Sequence, residues 1–251
     1  MKKIKVWMMF FIIFIFTMFI IPVACSKNQL HTGEWGYRGE MGPENWGELK
    51  EEFVVCETGQ QQSPINIETS ATPKAKIEFS YDYTPLNVIN KGHTIEIEYE
   101  PGSTIKIDNK QYELLQFHFH SPSEHQLDGK SYPMEVHLVH KSSDGKFAVI
   151  GILIEEGTEN RFIASLWPHV PKEIIENPVR GVAINASALP PENKVYYNYT
   201  GSLTTPPCSE GVNWIVFETP IEVSSKQIEY FRSFYNGNAR PIQPLNERQV
   251  I

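Results

Sequence analysis

The sequence predicts a mainly β protein built as a single domain with short peripheral helices, and three observations carry that expectation. Segments that alternate polar and apolar residues recur from Thr94 onward, separated by Gly, Pro, Asn and Asp turns. Signals of helical period are few. No repeat, low-complexity stretch or Pro/Gly/Ser-rich linker divides the 251 residues, which are 41% hydrophobic and 21% charged.

The first 24 residues stand apart. Lys2, Lys3 and Lys5 precede an almost unbroken apolar run from Trp7 to Ile21, and the small-residue site Val23-Ala24-Cys25-Ser26 follows. Residues 1–24 read as a secretory signal peptide. The rival reading is a retained membrane anchor, because the run is close to the lower limit of ~17 residues for a spanning helix. Residues 25–32 read as a tether. Cys25 is either the acylated first residue of a bacterial lipoprotein or a removed or unpaired cysteine, and Pro22 sits where such sites usually carry Leu. Both readings place the protein outside the cytoplasm, periplasmic or extracytoplasmic, with the membrane touched only through the signal or a lipid anchor.

Residues 33–251 form the expected domain. Taking the three signal lysines from 22 basic residues leaves 19 against 30 acidic ones, a net charge of −11. Nothing basic is clustered elsewhere, which excludes a nucleic-acid partner. Gly33 to Ile67 is irregular. Strands follow over Thr94–Tyr99, Thr104–Ile107, Tyr112–His120, Met134–His140, Phe147–Ile154 and Trp214–Phe217, with Ser142 to Lys146 as a hairpin connection. Asn160 to Leu166 can form two helical turns before Pro168. Ser224 or Ser225 can cap a helix that puts Ile228, Phe231 and Phe234 on one face. Cys56 and Cys208 remain as one pair, which an oxidising compartment permits to bridge; two separate buried thiols fit the spacing equally well.

Four of the eight histidines fall between His118 and His137. On a strand, residues two apart share a face, so Gln116, His118 and His120 point one way while Leu115, Phe117 and Phe119 point into a core. Two imidazoles at this spacing can reach one ion. Glu135, His137 and Val139 share a face of a second strand, and pairing of the two strands would complete a set of three imidazoles. Three protein ligands leave the fourth tetrahedral position of zinc open, which is the pattern of a catalytic site. Gln116 and Glu135 each lie two residues before a histidine and can accept a ring N–H, fixing tautomer and orientation. A His-x-His pair alone is weak, because strands often carry exposed histidines; two such strands with their partners are far more specific.

These residues resemble the alpha-class carbonic anhydrases, and specifically the exported bacterial type. Gln116 to His120, Ser123-Glu124-His125 and Glu135 to His140 match that family's signature in order and spacing. So do Gly201 to Cys208, Trp214-Ile215-Val216, Gln62 to Asn66 and Arg240 to Leu245. The likeness runs from about Trp35 to Arg248. It implies a central twisted, mostly antiparallel sheet of about ten strands with a zinc ion at the bottom of a cone-shaped cleft. It also implies the reversible hydration of CO2 to bicarbonate and a proton, by attack of zinc-bound hydroxide.

The resemblance assigns roles residue by residue. His118, His120 and His137 hold the zinc, with Gln116 and Glu135 behind them. Thr204 accepts a hydrogen bond from the hydroxide and passes its own proton towards Glu124. Val139, Val149, Leu203 and Trp214 form an apolar wall for CO2, and Thr205 lines the substrate or bicarbonate site. His93 is the proton shuttle, an imidazole with an ordinary pKa near ~6.5. His125 and His140 are buried structural histidines, and Cys56 and Cys208 form a disulfide. The sequence departs from the family at Lys91, where an Asn is common, and at Glu96, a cleft position that is often neutral. A zinc hydrolase with another main substrate, such as esters, would share the ligands. A catalytically silent binding module would usually lack one or more of the three histidines.

Overall fold

Alternating apolar positions make strands, and the strands pair into one large sheet because only neighbouring strands can satisfy their backbone N–H and C=O groups. The computed structural model describes residues 35–74 and 76–251. The signal segment, Cys25 and the tether lie outside the described residues, as does His31. In chain order the strands are Asn66–Ile67 (β1), Glu78–Ser80 (β2), Thr84–Asn90 (β3), Ile95–Glu98 (β4), Thr104–Ile107 (β5), Lys110–His120 (β6) and Gln126–Leu127 (β7). They continue as Met134–Lys141 (β8), Phe147–Glu156 (β9), Glu176–Ile184 (β10), Tyr196–Ser202 (β11), Glu210–Phe217 (β12) and Ile221–Val223 (β13).

Eleven of these form the main sheet, close to the ten expected, and its principal path runs β10-β3-β4-β6-β8-β9-β12-β11. Pairing is antiparallel except where β12 and β13 lie parallel to β9. β1 and β7 make a small parallel pair of their own.

The helices are short: Trp46–Leu49 (α1), Val55–Thr58 (α2), Arg161–Leu166 (α3) and Ser225–Arg232 (α4). The Asn160 side chain caps α3 by accepting from the N–H groups of Phe162 and Ile163, each at 3.1 Å. Ser224 and Gln227 form a reciprocal capping box at the start of α4. Ile228 and Phe231 are buried as expected, whereas Phe234 lies beyond the end of α4 and is partly buried against the same core. Between Gly33 and Ile67 the sequence predicts no regular structure, and the structure has α1, α2 and several 3-10 turns there. Each spans three or four residues, too few for a helical period to register.

The two faces of the sheet bury different side chains. On one face Phe117, Phe119, Val136, Leu138, Ile150 and Ile152 meet α3 and α4 in the larger core. Phe117 and Phe119 are fully buried, and truncating either to Ala would cost about 3–5 kcal/mol. On the other face Val139, Val149, Trp214 and Val216 form a second cluster with Tyr199 and Leu203. The histidine pair of β6 therefore projects from the face opposite the larger core.

Leu115 corrects the simple alternation. The register between β6 and β8 shifts between Leu114 and Gln116, a bulge that turns Leu114 into the core and leaves Leu115 exposed. One extra residue reverses the facing of everything before it.

Candidate metal centre

β6 and β8 are adjacent and antiparallel, and His118 stands directly opposite His137 in their register. His120 lies two residues further along β6 on the same face. The free nitrogens of His118, His120 and His137 all lie within 4.8 Å of one another. The side chains expected behind them supply part of the reason. His118 donates from Nδ1 to Gln116 Oε1 at 2.8 Å, and His137 donates from Nε2 to Glu135 Oε1 at 2.8 Å. His120 uses a partner the sequence did not reveal, the backbone carbonyl of Asn238, 2.7 Å from its Nδ1.

Each ring thus spends one nitrogen on the protein and keeps a lone pair on the other. Nε2 of His120 is buried without any hydrogen-bond partner, as is Oε2 of Glu124. An orphaned imidazole nitrogen facing two more imidazoles is costly unless something electrophilic sits between them. Burial holds all three rings neutral: His118 falls well below its usual pKa, with help from His120 and His137, and His120 drops to about 4. Burial also lowers His137, against the opposing pull of Glu135. Neutral imidazole is the form that ligates a metal.

Glu135 is fully buried, yet its carboxylate has four donors. Oε1 accepts from His137 and from His125 Nδ1, and Oε2 accepts from the backbone N–H groups of Glu124 and His125. Burial alone would raise its pKa, but His125 and His137 overcome that and hold it well below the usual range. His125, Glu135 and His137 also come close enough to one another to suggest a second ion site. Two ring N–H groups already occupy Oε1, so that trio is a hydrogen-bonded support. His125 passes the chain on through Nε2 to the Tyr199 hydroxyl at 2.7 Å, which contacts Ser63 Oγ at 2.8 Å.

Gly151 makes room for this support, and sequence reasoning missed it. It faces His137 across β8 and β9, and a Cβ there would sit 2.7 Å from Glu135 Oε1. In the apolar run Phe147–Ile154 a glycine reads only as a weak strand residue.

Glu124 lies beneath the histidines, with Oε2 3.8 Å from His137 Nδ1 and Oε1 3.6 Å from His120 Nδ1. Burial pushes it up to about 7, opposed by His137, by the Arg240 N–H that donates to Oε1 at 2.8 Å, and by the nearby Thr204 hydroxyl. Thr204 sits on the turn after β11. There Leu203 N–H donates to the Ser209 carbonyl, Cys208 N–H donates to the Thr205 carbonyl, and the Cys208–Cys56 disulfide pins the far end. The Arg240 guanidinium donates to the carbonyls of Cys56 and Ser63 and to Gln62 Oε1. One residue therefore orients Glu124 with its backbone and anchors the disulfide segment with its side chain.

Val139, Val149 and Trp214 pack together with Leu203 beside the histidines; Val149 is paired in register with both Val139 and Trp214. The Trp214 ring is 4.8 Å from the His137 ring, and its N–H donates to the Ser202 carbonyl at 2.9 Å. Thr205 is partly exposed on the same turn as Thr204. His140 is fully buried on the opposite face, with Nε2 2.6 Å from the Tyr81 hydroxyl. His93 stands off the cluster, its ring 4.5 Å from Trp35. In this pose its pKa is pulled down to about 4 by burial first, then by the Lys91 charge and by the cost of a second protonated ring near His120. That is well under the ordinary imidazole value expected of a shuttle.

A family model described as eukaryotic-type carbonic anhydrase matches residues 41–251. A carbonic anhydrase of a Nostoc species is 43% identical over 233 residues, covering 90% of this chain and 88% of the relative. A hyperthermostable carbonic anhydrase from an active hydrothermal vent chimney superposes with a TM-score of 0.82 at 47% identity, over 86% of this chain and 98% of the other. The alpha-carbonic anhydrase of Thermovibrio ammonificans, solved with the inhibitor sulfanilamide, gives 0.81 at 44% identity, over 86% and 97%. With its large mixed sheet and its cluster of three oriented histidines, the chain belongs to the alpha-class carbonic anhydrase family.

Proposed function

We propose that this chain hydrates CO2 reversibly to bicarbonate and a proton, on a zinc ion held by His118 Nε2, His120 Nε2 and His137 Nδ1. The observation that carries the reading is the set of three neutral, oriented rings whose free nitrogens converge, one of them an orphan. Three imidazoles and no thiolate or carboxylate suit zinc with an open fourth position. Zinc so held lowers the pKa of water to about 7, carbonic anhydrases being the established example of that shift.

The chain's own residues do the rest. Gln116, Glu135 and the Asn238 carbonyl keep the rings in the ligating tautomer and make them better donors. Glu124, fixed by the Arg240 N–H, accepts a hydrogen bond from the Thr204 hydroxyl, so that the Thr204 oxygen lone pairs are left as acceptors for the reacting centre. Val139, Val149, Leu203 and Trp214 offer CO2 an apolar surface that water wets poorly, which favours a nonpolar substrate that makes few hydrogen bonds. Thr205 lies at the edge of that surface, where the bicarbonate oxygens emerge. His93 takes up the proton after rotating away from Trp35, a move that restores water around the ring and raises its pKa towards the range useful near neutrality.

The Cys56–Cys208 disulfide supports an exported location, since such bonds persist in oxidising compartments. On this reading residues 33–251 are the catalytic domain behind a leader. The mass of the mature N-terminus tests the leader and the acylation of Cys25. Among the described residues no helix is long and apolar enough to cross a membrane.

The direct test is metal analysis with stopped-flow CO2 hydration. Purified protein should carry one zinc per chain, and His137→Ala should lose both metal and activity. Full activity in that variant, or a faster rate on esters than on CO2 in the wild type, would overturn the assignment.

A further inference from the structure

His93 sits in a tight turn between β3 and β4. Asn90 Oδ1 accepts from Gly92 N–H at 3.1 Å, and Lys91 N–H donates to the Thr94 carbonyl at 3.0 Å. Gly92 has φ of 86°, a left-handed conformation that glycine adopts without strain. The turn therefore fixes the backbones of Lys91 and His93 relative to each other. The Lys91 side chain, 35% exposed, turns back along the strand. Its Nζ lies 3.2 Å from Glu96 Oε1, and the Glu96 side chain is only 13% exposed. Glu96 in turn stands opposite His118 in the β4–β6 register. The pair thus ties the lysine of the His93 turn to β4, the strand that borders β6.

Apart from the zinc ion proposed above, the protein leaves that charge few competitors. His118 and His120 on β6 are the rings that His93 feels electrostatically, and both are held neutral by burial. From the N-terminal segment Arg38 lines the same cavity of about 400 Å3 as His93, with its guanidinium already donating to the Asn236 carbonyl. Tyr235 closes the cavity from the segment after α4, and its hydroxyl donates to Asn90 Oδ1. Lys91 is thus the nearest full charge on the turn that carries the imidazole, and Glu96 is the group that keeps it there.

We propose that the Lys91–Glu96 pair is a positioning device that sets the rate at which His93 carries the proton away, without touching the step that converts CO2. The inference rests on the shuttle reading of His93 given above. An ammonium anchored on the same short turn, in a residue lining the same cavity, opposes a second positive charge there, so His93 takes up a proton reluctantly and gives it up to solvent readily. The lowered pKa of His93, with Lys91 second only to burial among its causes, agrees with this. Proton removal follows release of bicarbonate, so the effect belongs in kcat and not in kcat/KM.

The test compares Lys91→Gln, Lys91→Arg and His93→Ala in the zinc-loaded protein, by stopped-flow CO2 hydration from pH 6 to 9 and by NMR titration of the His93 ring. Lys91→Gln should raise the His93 pKa by about half a pH unit and raise kcat near neutrality by about threefold, with kcat/KM unchanged. Lys91→Arg, which keeps charge and bridge, should behave as the wild type. In a Glu96→Gln background the Lys91→Gln effect should shrink, because the lysine is no longer held in place. The proposal is overturned if His93 titrates alike in wild type and Lys91→Gln, if kcat and kcat/KM move together, or if Lys91→Arg matches Lys91→Gln. His93→Ala separates the two levels. An unchanged kcat there removes the shuttle reading and this inference with it, whereas a lowered kcat beside a silent Lys91→Gln removes the inference alone.

Discussion

Breaking the Cys56–Cys208 bond should destabilise the domain strongly while leaving the metal in place. The bond spans 152 residues of chain. The loop-closure entropy it removes from the unfolded ensemble corresponds to about 5 kcal/mol at 25 °C. A domain of this size shifts its Tm by about 2–4 °C per kcal/mol, so reduction should lower it by about 10–20 °C. The folded state loses little direct contact, because Cys56 and Cys208 stay buried among Trp46, Phe53 and Leu49. The Arg240 and Gln62 hydrogen bonds to the two cysteine carbonyls also survive. The assay is calorimetry of oxidised and fully reduced wild type at equal zinc, with Cys56→Ser/Cys208→Ser as a second route to the open form. His118, His120 and His137 lie on β6 and β8, which the bond does not touch, so zinc content should stay at one per chain. The turn carrying Thr204 does lose its tether, and kcat/KM should fall severalfold. A Tm shift below about 3 °C would refute the argument from chain entropy. Loss of zinc on reduction would refute the claim that the ligands are held independently of the bond.

Gly151→Ala should weaken zinc binding by about 10–100-fold, the usual effect of disturbing a metal ligand's hydrogen-bond partner, since the new methyl displaces Glu135 Oε1; competition with a chelator measures it. In zinc-stripped protein the folded-state pKa of Glu124, raised from 4.5 to about 7, makes its contribution to stability complete at acid pH and lost as pH rises through that window. Stripped wild type should therefore lose stability relative to Glu124→Gln between about pH 4.5 and 7, and parallel curves would count against the assignment. His140 has the opposite sign: its pKa falls from 6.5 to about 3, so the neutral buried ring contributes stability that disappears as pH drops through that range. His140→Gln should flatten acid unfolding there, as read from urea midpoints across pH.

The histidine pair of β6 was legible because a period of two is local, and so was the facing of His137 on its own strand. That β6 and β8 are neighbours, with His118 opposite His137, is a matter of register, which no single strand encodes. Asn238 and Arg240 escaped role assignment for a related reason. Their contributions are a backbone carbonyl and a backbone N–H delivered from an irregular segment more than a hundred residues away. Main-chain groups are common to every residue and leave no mark in composition or period. Leu115 was misplaced because a bulge inverts alternation without altering the apolar pattern. The pose of His93 depends on Trp35, from a segment with no periodic signal, so the sequence supplied an imidazole but not its environment.

The position of β6 and β8 along the sheet has a consequence for how the protein handles metal. In the path β10-β3-β4-β6-β8-β9-β12-β11 they are the two middle strands, with three more on either side. Fraying from β10 or β11 must cross those flanking strands before it loosens a ligand, and the β2–β5 branch meets β6 only over Lys110–Glu113, away from His118 and His120, so local opening and ligand disorder are separate events. An emptied site should keep the outline of a filled one. Reloading then resembles filling a mould more than folding a chain, with entry of the ion and loss of its water setting the pace.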